Sequence, residues 1–108
     1  MKDEVVLLKL SASFAEIICK VSDSVAEKLI EKSPIDAFTV ISPFLIQMQR
    51  DENGDLATGL HALSLMMKGD PKNVKLRLND RDILFAARPT DDIEKQYRQM
   101  VSGIQLVK

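Results

Sequence analysis

Apolar and polar residues alternate along this chain with two periods, and the change of period divides it into elements. In "VVLLKL", Val6, Leu8 and Leu10 share one strand face and Val5, Leu7 and Lys9 the other, so both faces of a first strand are largely apolar. From Phe14 onward, Ile18, Val21, Val25 and Leu29 recur at helical spacing, Ile17 and Ile30 widen the stripe, and Ser13 with Glu16 fits a capping box. The spacing predicts an amphipathic helix over 14–32. Ser33-Pro34 and Ser42-Pro43 each read as a helix start, which predicts two short helices, or one kinked at Pro43. The rival reading makes "FLIQMQ" (Phe44–Gln49) a strand and "RDENGD" (Arg50–Asp55) its hairpin loop. Leu56, Leu60, Leu63 and Met67 return to the helical period, and Gly69 with Pro71 ends that helix.

Val74, Leu76 and Leu78, then Ile83, Phe85 and Ala87, alternate with other residues about Asn79-Asp80. This predicts a β-hairpin, with Phe85 as a core anchor on the face of Leu76 and Ile83. Asp91 and Glu94 open a last helix with Ile93, Tyr97, Met100 and Val101 as its buried stripe. Beyond Gly103, residues 104–108 either return as a short edge strand or continue the helix. The predicted order is β-α-α-α-β-β-α. It implies an α+β fold with a three-stranded antiparallel or mixed sheet packed on helices, four-stranded if 104–108 joins it.

A chain of 108 residues has room for one domain, 1–108, and one core. Hydrophobic residues at 45% and charged residues at 29% fit a globular protein rather than a disordered one. The net charge of −1 disfavours a general nucleic-acid or anionic-membrane binder. The lone Cys19 cannot form an internal disulfide, and its apolar setting reads as core. Acids ahead of the first apolar run argue against a signal peptide, and no apolar run approaches the roughly 20 residues of a bilayer span. A cytoplasmic location, with no membrane partner, is the expectation.

No catalytic constellation emerges. One histidine, His61, and one cysteine fall short of a zinc ligand set. The four glycines are scattered, so no phosphate-cradling loop is present. Asp51, Asn53 and Asp55 alternate as in a calcium loop, but the sixth and twelfth positions are Leu56 and Ala62. No cofactor, metal or catalytic residue is therefore expected, and the chain is not read as an enzyme.

Two binding readings remain. The first is a non-enzymatic protein-interaction or accessory module, chaperone-like or regulatory, forming a homodimer or meeting a protein partner. Its candidate face is Val5, Leu7, Leu84 and Ala86 on the less polar side of the sheet, with Leu65 and Met66 before Gly69. The alternative is a winged-helix-like nucleic-acid regulator, from the order of three helices and a hairpin, with Lys72, Lys75, Arg77, Arg81 and Arg88 as contacts within residues 72–88. Asp80 and Asp82 beside Arg81 would repel phosphate, and the preceding helix offers almost no base-reading side chains. Nucleic acid is thus disfavoured.

Overall fold

The computed structural model describes residues 2–12, 14–62 and 74–106. The elements are β1 (Asp3–Leu10), β2 (Glu16–Ser22), α1 (Asp23–Glu31), β3 (Phe38–Arg50), β4 (Leu56–Ala62), β5 (Lys75–Leu78), β6 (Ile83–Ala87) and α2 (Asp91–Leu106). Among the described residues, six antiparallel strands and two α-helices replace the expected three-stranded sheet on several helices.

Three of the predicted helices are corrected by strands. Residues 16–22 form β2 because Ile17, Ile18, Cys19 and Val21 are buried on both faces, which a helix stripe cannot do for consecutive residues. The β-branching of Ile17, Ile18 and Val21 favours the extended backbone. The helix begins only at Asp23, where the Ser22 hydroxyl accepts from the Val25 N–H at 3.4 Å. It ends at Lys32 in the left-handed region, whose N–H turns back to the Leu29 carbonyl.

Residues 38–50 form one long strand instead of short helices, with Arg50 and Leu56 closing a hairpin about the 51–55 loop. The rival reading of Phe44–Gln49 is the one observed. Ser42-Pro43 marks a β-bulge rather than a helix start. Phe44 pairs with Ile18 but Ile41 pairs with Lys20, so β3 carries one extra residue there. Ser42 sits at φ 50° and Pro43, which has no N–H for the ladder, is buried beside it. Of the helix predicted from Leu56, residues 56–62 are β4, and 63–68 lie outside the described residues. Residues 104–106 continue α2, so no strand forms there.

The predicted hairpin of 74–87 is also absent. The sheet order is β4-β3-β2-β1-β6, and β5 pairs with β3 at Phe38–Ile41, end to end with β4 on the same flank. β6 pairs with β1 at the far edge. Four inter-strand steps separate β5 from β6, about 19 Å across a flat sheet. The link from Leu78 to Ile83 reaches about 18 Å fully extended, and residues 80–82 are wound into a 3-10 turn. The sheet must therefore curl until its two edges approach. Leu76 and Leu78 from one edge and Ile83 and Ala86 from the other accordingly pack on one core, formed with Ala26 and Leu29 of α1 and Val6, Leu8, Cys19 and Val40 of the central strands.

The outer side carries a second core. Val5, Ile18, Phe44 and Leu60 lie beneath Tyr97 and Val101 of α2. The Phe44 and Tyr97 rings meet edge to face at 5.7 Å, and the Tyr97 hydroxyl donates to the Ser42 carbonyl at 2.8 Å. Each helix thus covers one face of the sheet, which leaves the strand edges as its open boundaries.

Candidate functional site

The residues expected to share an interaction face are divided by this architecture. Val5 is 4% exposed beneath α2, and Leu7 packs against the same cluster. Ala86 faces the opposite core with α1. Only Leu84, at 49%, is open. Leu65 and Met66 lie outside the described residues, as does Lys72.

The basic residues are dispersed as well. Lys75 and Arg77 are exposed on β5, whereas Arg88 follows β6 at the other edge and pairs with Glu4 at 3.2 Å. Arg81 lies in the turn between them, where its carbonyl accepts from the Ser11 hydroxyl at 2.9 Å. The winged-helix element order that grouped these residues does not occur.

The outer edge of β6 is the surface with the clearest capacity to bind. One side of β6 is laddered to β1, with Leu7 opposite Ala87, Leu8 opposite Ala86 and Lys9 opposite Phe85. A register shift then inserts Leu84 before Ile83 meets Leu10. The other side has no strand neighbour among the described residues. Ile83 and Ala86 point inward to the α1 core. Leu84 lines a cleft of about 260 Å³ with Lys28, Lys32, Ser33 and Phe85. Phe85 is 42% exposed, and the Lys9 ammonium sits 5.9 Å from its ring centroid.

Within Ile83–Ala87 there is no charged residue, while Asp82 and Arg88 bound the strand. Asp82 is held by the N–H of Asn79, which its carboxylate accepts at 2.8 Å. An edge of this kind presents unpaired N–H and C=O groups beside apolar side chains, and it is a template for a further strand. The sequence signal for it was the uncharged run "ILFAA" between two opposite charges.

A second exposed apolar surface lies on the β3–β4 hairpin. β2 stops at Glu16 opposite Ile46, so Gln47–Arg50 pair only with Leu56–Gly59 and project as a two-stranded arm. Met48 and Leu56 are each 61% exposed there. On the arm's other face the Gln49 side chain bonds His61 across Gly59, where an added Cβ would come within 2.5 Å of the Gln49 amide nitrogen. In the 51–55 loop, Asp51 serves the turn. The Asp51 carboxylate accepts from the N–H groups of Asn53 at 2.9 Å and Asp55 at 3.0 Å, and Gly54 supplies φ 84°.

The buried titratable side chains are structural in their setting. Burial pushes the Cys19 thiol up to about 12, which keeps it protonated at neutral pH. Burial, with a contribution from Cys19, likewise raises the Tyr97 hydroxyl far above its ordinary value. The described residues contain no group of three or more His, Cys, Asp or Glu that could hold a metal ion. Among them, no helix is long and apolar enough to cross a membrane. No protein-family model matches the chain, and no curated protein matches it either.

Proposed function

We propose that the chain is a non-enzymatic protein-interaction module that engages a protein through the outer edge of β6. The observation that carries this reading is an uncharged edge strand with Leu84 and Phe85 exposed and no strand beside it among the described residues. Main-chain hydrogen bonds along such an edge supply affinity, and alternate side chains supply selectivity. An accessory or regulatory role, in the reducing cytoplasm, accords with a free, protonated Cys19.

Site-specific photocrosslinking in cells tests this. A benzophenone amino acid in place of Leu84 should yield a discrete covalent protein adduct, to another copy or to a different protein. The same probe at the exposed Gln99 of α2 should yield none. Absence of any adduct at position 84 in the expressed, folded protein would contradict the reading.

A further inference from the structure

We infer that Asn53 is a site of spontaneous deamidation and isoaspartate formation, and that Asp51 sets its rate. The site lies in the loop at the tip of the β3–β4 arm and is independent of the β6 edge.

Of the three asparagines, Asn53 alone precedes a glycine; Asn73 and Asn79 precede Val74 and Asp80. The reaction requires the main-chain nitrogen of the following residue to reach the asparagine Cγ, and a side chain on that residue obstructs the approach and narrows its backbone freedom. Gly54 has no side chain, and a Cβ placed there would meet no atom within 4 Å, so the space around it is open. Both residues are exposed. The Asn53 carboxamide has no hydrogen-bond partner among the described residues, so it is free to turn toward Gly54.

The reaction needs only water and base. The Gly54 nitrogen loses its proton to hydroxide and bonds to Asn53 Cγ, while the side-chain nitrogen takes up a proton and leaves as ammonia. The product is a five-membered succinimide. Water then cleaves one of its two carbonyl–nitrogen bonds. Cleavage at Cγ leaves aspartate. Cleavage at the main-chain carbonyl leaves isoaspartate, in which the chain runs through Cβ and Cγ. One water is consumed, one ammonia is released, and nothing is oxidised or reduced.

The turn restrains the first step. The Gly54 N–H donates to the Asp51 carbonyl at 3.0 Å and must be released before it loses its proton. The Asp51 carboxylate holds the same tip closed through the N–H groups of Asn53 and Asp55. Conversion therefore proceeds through brief openings of an exposed turn, where a folded chain is least stable. The product does not refit this turn. It adds a negative charge beside Asp51, Glu52 and Asp55, and isoaspartate lengthens the main chain by one carbon. The Asp51 N–H to Asp55 carbonyl bond at 2.8 Å spans that link, and Arg50 Nη1 donates to the Gly54 carbonyl just beyond it at 2.7 Å. Their loss loosens the tip of the arm that carries Met48 and Leu56.

Peptide-map mass spectrometry of the folded full-length protein, incubated at mildly alkaline pH, tests this, with electron-transfer fragmentation separating isoaspartate from aspartate. Asn53 should convert to both products while Asn73 and Asn79 stay intact. Asp51→Ala should speed the conversion at least about threefold, the effect of losing a hydrogen bond or two from the closed turn. Circular dichroism confirms the fold of the variant. An intact Asn53 in the folded protein, after a time in which the same protein in urea has converted, would overturn the inference. Conversion to aspartate without isoaspartate would do the same, because it would bypass the succinimide. An unchanged rate in Asp51→Ala would overturn the role given to Asp51.

Discussion

Phe85 and Phe44 show how little a residue's type says about its burden. Both sit in strands, yet Phe44 is 1% exposed against Tyr97 while Phe85 is 42% exposed on an edge. Phe44→Ala should cost about 3–5 kcal/mol in urea melts, as a fully buried ring does. Phe85→Ala should cost less than about 2 kcal/mol in dilute protein. The expectation of a core anchor at Phe85 fails because the bulge at Leu84 reverses the alternation, leaving Ile83 facing inward and Phe85 beside Lys9. A one-residue insertion of this kind leaves no mark in an apolar pattern. Cys19 was legible as core from its setting, and its burial has a pH consequence. Its folded value, about 12, stands above the ordinary 9.0. Its contribution to stability is therefore complete below about pH 9 and is lost as pH rises toward 12. Between pH 8 and 10.5 the wild type should lose up to about 2 kcal/mol more than Cys19→Ala, at 1.36 kcal/mol per pH unit. Equal losses in the two proteins would show that the thiol ionises in the folded state as readily as in the unfolded one.

Among the elements, β1, β5, β6 and α2 were legible, and so was α1, as the second half of the helix expected over 14–32. Val5–Leu10 is apolar on both faces and too short for a helix, and Asp91 with Glu94 marks a helix start without rival. The failures share one cause. Ile17, Ile18, Val21 and Val25 satisfy a helical stripe, but they also form a doubly buried strand followed by a helix, and periodicity cannot separate the two. The discriminating signal was Ser22-Asp23-Ser24, a capping cluster in the middle of the supposed helix. Ser22→Ala should accordingly cost about 1 kcal/mol in thermal or urea melts; no change would mean that the cap is not contributing. Ser42-Pro43 misled for the complementary reason. A proline at the first position of a helix and a proline at a bulge carry the same local sequence, and only burial in the sheet decides between them.

For the whole molecule, the pairing partners of β5 and β6 mattered most. Adjacent strands joined by a short link usually form a hairpin, yet here they sit on opposite flanks of a curled sheet. No local pattern encodes that choice, because it is settled by which edge each strand completes. The same choice leaves β6 as a terminal strand with an uncharged outer edge, and the account of function depends on it. Amide hydrogen exchange read by NMR on β6 in dilute protein tests this most directly. The outward amides within Ile83–Ala87 should exchange fast, while those of the central strand β2 stay protected. Protection of all β6 amides would mean that the edge is covered within the chain, and it would contradict the account.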